Sequence, residues 1–207
     1  MNKLAVEFVG TFFLVFTIGM TIVHTPLGVL PPLAIGLVLT GMIIAGARIS
    51  GAYFNPAVSL AVAIRGRLPV TDLPGYMLFQ VLGSILASAV VLILKKGPLQ
   101  PMIAPIVPVM IVEFLFTFAL VWVVLHVSNT EELKGSPAYG LAVGSTMTAG
   151  AFAVGSVSGA AFNPAVVLGC MIMGLLPASS LTAYLGATFG GAIVAALTFR
   201  LVLGWKN

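Results

Sequence analysis

The sequence predicts an all-α integral membrane protein in which six transmembrane helices and two re-entrant half-helices form an inverted 3+3 repeat. Hydrophobic residues make up 60% of the 207 residues, and charged residues only 7%. A soluble domain carries about 25% charged residues, so this composition excludes a water-soluble fold. The lengths of the apolar runs and one duplicated segment predict the rest of the arrangement.

Six apolar runs are long enough to cross a bilayer, whose hydrocarbon core of about 30 Å requires roughly 20 residues of helix. These runs cover residues 4–23, 31–47, 74–94, 106–126, 137–154 and 180–203. Two further apolar runs, 56–66 and 164–175, are much shorter. At about 1.5 Å per residue, each reaches roughly half-way across the membrane. We therefore expect them to be re-entrant half-helices.

The positions of the basic residues predict that both termini lie in the cytoplasm. With six spans and an internal N-terminus, Lys and Arg fall mainly on the inner side, as is typical of membrane proteins. The inner side then holds Lys3, Arg48, Arg65, Arg67, Lys134, Arg200 and Lys206, and the outer side holds Lys95 and Lys96. The short terminal segments favour a prokaryotic inner membrane.

A nine-residue segment occurs twice in the chain. SGAYFNPAV at residues 50–58 returns as SGAAFNPAV at 158–166, with Tyr53 and Ala161 as the single difference. The chain is therefore read as one domain, residues 1–207, built from related halves at about 1–97 and 98–207. Because each half has an odd number of spans, the second half inserts into the membrane upside down relative to the first. In such inverted repeats, the binding site forms where short helices meet near the membrane midplane.

The Asn-Pro-Ala triplets predict where the half-helices begin. Asn is a strong N-cap residue, and Pro is favoured at the first helical position. Two helix N-termini that meet bring together partial positive charges of about half a unit each, and Asn amides donate hydrogen bonds. Such a place orients a passing dipole and repels cations, hydronium included. The residues concerned are Asn55, Pro56, Ala57, Asn163, Pro164 and Ala165.

The chain has six spans, two half-helices, an Asn-Pro-Ala in each half, and Glu7 and Glu113 in the first and fourth spans. In these features it resembles the aquaporin, or major intrinsic protein, family over its whole length. The resemblance implies one pore in each subunit of a homotetramer, with passive flow of water or small uncharged solutes. It also implies that each of the two acids accepts hydrogen bonds from the Asn-Pro-Ala loop of its own half. A proton relay is the alternative role for an intramembrane acid.

The selectivity filter departs from the family pattern. The four filter positions correspond to Ile35, Ala151, Ala160 and Val166, and the last replaces the usual Arg. Without a guanidinium the neck loses bulk, fixed charge and several donors. In this it resembles the plant vacuolar-type members of the family, and the resemblance implies that ammonia, urea and hydrogen peroxide pass as well as water. We leave open whether glycerol is a further solute. The Asp that glycerol channels usually carry after the second Asn-Pro-Ala is absent, with Val167 and Leu168 nearby instead.

Several alternatives remain at this point. The apolar neck can dewet and nearly close the channel, and a secondary transporter also uses inverted repeats. No phosphate-binding loop, nucleophile triad or metal-ligand spacing appears, so we expect no enzyme activity, no cofactor, no metal and no nucleic-acid partner. Besides its solutes, the chain contacts membrane lipid. Arg48 is either a vestibule residue or a membrane anchor, and Tyr53 either narrows the pore or packs.

Overall fold

The computed structural model describes residues 1–22, 30–95, 101–129 and 136–203, and the regular elements in these ranges are helices. Lys96, Lys134 and Lys206, which entered the charge argument, lie outside the described residues. A 3-10 turn, Ala178–Ser180, precedes the last helix. The helices are α1 Asn2–Ile22, α2 Leu30–Gly46, α3 Pro56–Arg65, α4 Leu73–Leu94, α5 Ile106–Asn129, α6 Pro137–Ser158, α7 Pro164–Ile172 and α8 Leu181–Leu203.

Six long helices occupy the six predicted spans, and the two short ones occupy the predicted half-helices, which confirms the fold class. Among the described residues, five helices are long and apolar enough to cross a membrane, and α2 with 17 residues falls just below that length. The short helices α3 and α7 contain 10 and 9 residues. Helix α7 ends earlier than the predicted residue 175, because Gly174 is left-handed and the Leu175 N–H donates to the Cys170 carbonyl at 2.8 Å.

The helices pack with an approximate two-fold symmetry between the halves. Helix α1 packs along α4 as α5 packs along α8, and each short helix contacts a long helix of the other half, α3 with α8 and α7 with α4. The corresponding helices α2 and α6 pack against each other. They cross where a Cβ on Gly36 would lie only 2.7 Å from the Gly144 carbonyl oxygen. The halves therefore share one packed interior.

Glycines also bring the longest helix pairs into backbone contact. A Cβ added at Gly83 of α4 would collide with the Phe8 carbonyl oxygen of α1. The same collision would occur between Gly191 of α8 and the Phe114 carbonyl oxygen of α5. Small residues at helix crossings allow this close approach. The resulting contacts stabilise helix packing in the membrane, because lipid tails are as apolar as the side chains and there is no hydrophobic driving force between helices.

We expect Gly191→Ala to lower the thermal midpoint of the purified protein in detergent, measured by circular dichroism. The new methyl group meets a backbone carbonyl, and overpacking of this kind costs about 1–3 kcal/mol. Gly186→Ala is the matched control in the same helix, because no atom lies within 4 Å of the Cβ that it would add. Equal midpoints for the two variants would contradict this packing argument.

Candidate functional site

The two short helices begin at their Asn-Pro-Ala triplets, and each Asn is an N-cap. The Asn55 Oδ1 atom accepts a hydrogen bond from the Ala57 N–H at 2.9 Å, and Asn163 Oδ1 accepts one from the Ala165 N–H at 2.9 Å. A Pro follows each cap at the start of the helix. These bonds satisfy helix N–H groups that have no carbonyl partner within the helix.

The two caps are also joined to each other's loops. The Asn55 Nδ2 group donates to the Phe162 carbonyl at 2.9 Å, and the Asn163 Nδ2 group donates to the Phe54 carbonyl at 2.9 Å. Both Asn residues are 3% exposed. An Asn amide has two N–H donors, so this exchange engages one donor of each and leaves a second for a molecule in the adjoining space. The N-termini of α3 and α7 therefore meet inside the protein.

The segments before the caps have an unusual backbone. We call residues 50–55 the first loop and residues 158–163 the second loop. In each of them two residues other than glycine adopt the left-handed conformation, which costs about 1–2 kcal/mol per residue. Such strain persists where surrounding contacts determine the conformation. The residues and their φ angles are Ala52 (54°), Phe54 (51°), Ala160 (52°) and Phe162 (47°).

A fully buried carboxylate supplies contacts for the first loop. One oxygen of Glu7 accepts the Ser50 hydroxyl at 2.6 Å and the Tyr53 N–H at 3.1 Å. The other oxygen accepts the Phe54 N–H at 2.7 Å and the Gln80 amide at 2.8 Å. Left-handed turns point successive N–H groups into one concave side that binds an anion. Four donors therefore replace the water that this carboxylate gives up on burial.

Glu113 occupies the same place at the second loop with fewer partners. It accepts hydrogen bonds from the Ser158 hydroxyl at 2.6 Å, the Ala161 N–H at 3.0 Å and the Phe162 N–H at 2.7 Å. The position that corresponds to Gln80 is Thr188, whose hydroxyl donates within its own helix. The two acids therefore bind equivalent loops, and the first one has an additional side-chain donor.

Two tyrosines bind the same loops, and the sequence reasoning missed them. The Tyr76 hydroxyl donates to the Ser50 carbonyl at 2.9 Å, and the Tyr184 hydroxyl donates to the Ser158 carbonyl at 2.6 Å. They lie 108 residues apart, the same spacing as the duplicated nine-residue segments. A search for identical residues at that spacing would therefore have found both.

A small cavity of about 20 Å³ lies beside both caps, and its walls come from both loops and from helices α1, α2, α3, α5 and α6. Space of this size holds about one water molecule. Most of the lining is apolar, and the polar side chains on it are those of Tyr53, Asn55 and Asn163. A molecule there meets a few fixed donors on an otherwise apolar wall.

The four expected filter residues do not line this cavity. Ile35 and Ala160 are each 4% exposed, Val166 is 1% exposed, and Ala151 is partly buried. Ile35 lies one helical turn before the cavity residue Leu39, and Ala151 one turn after Met147. At about 5.4 Å per turn, these two helix positions lie beyond the cavity in the direction of the second loop.

Comparisons with known proteins agree with this geometry. The major intrinsic protein family matches residues 1–149 and, again, residues 109–206. The chain is 35% identical over 215 residues to nodulin-26 of Glycine max, covering 98% of this chain and 78% of that protein. It is also 35% identical over 225 residues to aquaporin NIP3-1 of Arabidopsis thaliana, covering 100% and 69%. The aquaglyceroporin of Plasmodium falciparum has a similar fold, with a TM-score of 0.82, 20% identity, and coverage of 98% of this chain and 96% of that chain.

We expect Glu7→Gln to reduce the yield of folded protein and its thermal midpoint in detergent. The new amide would present N–H donors to the donors that now bind the carboxylate, and each buried donor left unpaired costs about 1–3 kcal/mol. Glu113→Gln should be less damaging, because Glu113 binds three donors rather than four. A Glu7→Gln protein as stable as the wild type, with altered solute preference, would contradict a loop-binding role.

Proposed function

This chain belongs to the major intrinsic protein family of membrane channels, and we propose that it conducts water and other small uncharged solutes passively. The observation that carries the proposal is the meeting of two helix N-termini through reciprocal Asn bonds beside a cavity. Passive conduction requires a path with weak, evenly placed polar contacts. The second N–H group of each Asn supplies such a contact at the narrow centre of the path.

Exclusion of ions and protons follows from the same arrangement. Each helix N-terminus carries a partial positive charge of about half a unit, so cations in the cavity meet two such ends. The Asn55 and Asn163 amides donate to a solute oxygen and therefore fix the orientation of a water molecule between them. A water held with its oxygen toward both amides cannot pass a proton along the file. Half-helix dipoles are a general means of excluding protons and cations from such pores.

We assign the selectivity filter to Ile35, Ala151, Ala160 and Val166, and from it we derive the solutes. None of these side chains carries a charge or a hydrogen-bond donor. A neck without Arg does not select water by polar contacts, so we propose that ammonia, urea and hydrogen peroxide also pass. Val167 and Leu168 weigh against a dedicated glycerol channel.

A channel with a neck nearly closed to water is the second candidate. It is favoured by the burial of Ile35, Ala160 and Val166 and by their absence from the lining of the described cavity. Apolar constrictions can gate a pore by excluding water. A flux assay separates this candidate from the open channel.

A secondary transporter is less well supported. Ion coupling needs carboxylates that face the substrate path, and Glu7 and Glu113 are fully buried and bonded to the loops.

Within the described ranges, no group of three His, Cys, Asp or Glu residues could hold a metal ion. The expectations of no enzyme activity, no cofactor and no nucleic-acid partner stay predictions.

We further propose that residues 1–207 act as one channel domain with repeats at about 1–97 and 98–207, because each short helix packs against the other half.

The basic residues support cytoplasmic termini, and Arg48 is exposed in the turn after α2. The plant relatives named above give no support to the expected prokaryotic inner membrane.

A homotetramer is proposed from the resemblance. An apolar groove of about 240 Å³ between α1 and α2 offers a surface for a helix of a neighbouring subunit. Light scattering of the detergent-solubilised protein should therefore give four times the 21.4 kDa chain mass, and a monomeric mass would contradict the assignment.

Reconstituted protein should give water, urea and ammonia fluxes above those of empty liposomes in stopped-flow light scattering. We expect flux to rise linearly with the solute gradient and to be independent of sodium and pH gradients, because no coupling ion takes part. Val166→Arg should suppress urea flux about ten-fold or more, since it restores bulk and charge to the neck.

Three results would contradict parts of this proposal. Water flux without urea or ammonia flux would exclude the relaxed filter. Absence of all flux from protein that is folded and inserted would favour the closed neck. Saturable flux that follows an ion gradient would favour the transporter.

A further inference from the structure

Among the described residues, the first loop has one tyrosine contact, made by Tyr139, that has no counterpart at the second loop. Besides Tyr76, the hydroxyl of Tyr139 at the start of α6 donates to the Gly51 carbonyl at 3.0 Å. Tyr139 is 3% exposed. Together with Glu7, these two tyrosines determine the path of the backbone that leads into Tyr53.

The repeat shows that Tyr53 and Tyr139 are specific to the first half. Positions 108 residues away from Tyr53 and Tyr139 are occupied by Ala161 and Pro31. Neither replacement can donate a side-chain hydrogen bond, and Ala161 lines the cavity with a methyl group where Tyr53 lines it with an aromatic ring. The path therefore has a bulky polar side chain on the first-loop side and a small apolar one on the second-loop side.

The Tyr53 ring is fixed by close neighbours. Its centroid lies 5.9 Å from the Tyr76 ring centroid, with the planes inclined at 36°. It also lies over Gly51, where a Cβ would come within 2.5 Å of the Tyr53 Cζ atom and 2.7 Å of its hydroxyl oxygen. Gly51 has a φ of 92°, so both its conformation and the space above it require glycine. The ring thus packs against Tyr76 and Gly51 while it lines the cavity.

We propose that Tyr53 sets the upper size limit for solutes in this channel, and that Tyr139 is the residue that positions it. The proposal rests on the proposed channel function and extends it. The cavity that Tyr53 lines has room for about one water molecule. The side chains at the expected filter carry no hydrogen-bonding group, so they do not select among solutes by polar contacts. A polyol such as glycerol must displace the ring to pass, and water need not.

The first test compares glycerol and water permeability of proteoliposomes. Tyr53→Ala makes the first loop identical to the second, whose Ala161 shows that alanine fits this backbone. We expect the glycerol-to-water permeability ratio to rise about ten-fold, in the range that removal of a steric contact gives in a specificity pocket. Tyr53→Phe keeps the ring and should keep the wild-type ratio. Tyr53→Ser provides a second truncation should the alanine variant fail to fold.

Two further variants separate positioning from general damage. Tyr139→Phe removes only the hydroxyl that binds Gly51, so the ratio should rise, though less than in Tyr53→Ala. A variant that is merely less stable loses both permeabilities together and leaves the ratio unchanged. Phe152→Ala is the matched aromatic truncation, because Phe152 is 53% exposed on α6, and both permeabilities should equal those of the wild type.

The outcomes distinguish this inference from the channel function. Water conduction by Tyr53→Ala and Tyr53→Ser with an unchanged ratio would overturn the role of Tyr53 and leave the channel function intact. So would a rise in the ratio for Ile35→Ala that exceeds the rise for Tyr53→Ala, because the size limit would then lie at the neck. An unchanged ratio in Tyr139→Phe would overturn its positioning role. Failure of the folded and inserted wild type to conduct water would reject the proposed conduction itself, and it would favour the closed neck.

Discussion

The structure depends on two buried carboxylates that satisfy irregular backbone inside a membrane. Hydrocarbon offers no hydrogen-bond partner, so the N–H groups of the two loops need acceptors within the protein. Glu7 accepts the N–H groups of Tyr53 and Phe54, and Glu113 accepts those of the corresponding Ala161 and Phe162. Once the loops are fixed, the caps that follow are fixed as well, and the central cavity exists because the caps meet.

The two halves share a backbone plan and differ in the side chains around it. Tyr76 and Tyr184 make equivalent bonds, and so do Ser50 and Ser158 with their acids. Gln80, which bridges the first acid to α3, has no counterpart in the second half. The shared contacts support the geometry of the fold, and the unshared ones make the two sides of the path chemically different.

Much of this arrangement could be predicted because it follows local rules. Apolar run length predicted the spans, and the Asn-Pro pairs predicted where α3 and α7 begin, since capping depends on neighbours in the chain. The left-handed conformation of Phe54 could not be predicted, because its N–H group donates to Glu7, which is 47 residues away in the chain. That of Ala52 could not be predicted either, because its N–H group donates to the Ser50 hydroxyl, which is itself bonded to Glu7. The bond from Tyr139 to Gly51 had no signal either, because its repeat position holds Pro31. The filter positions came from the family pattern alone and remain a proposal.

The bond from Asn55 to Phe162 and the bond from Asn163 to Phe54 make the junction between the two halves symmetric. In an isologous interface, which joins identical subunits related by a two-fold axis, each contact from one side is matched by the same contact from the other side. This chain therefore contains, within a single polypeptide, a junction of the kind that joins identical subunits. Substitution of one Asn removes one of its two equivalent bonds.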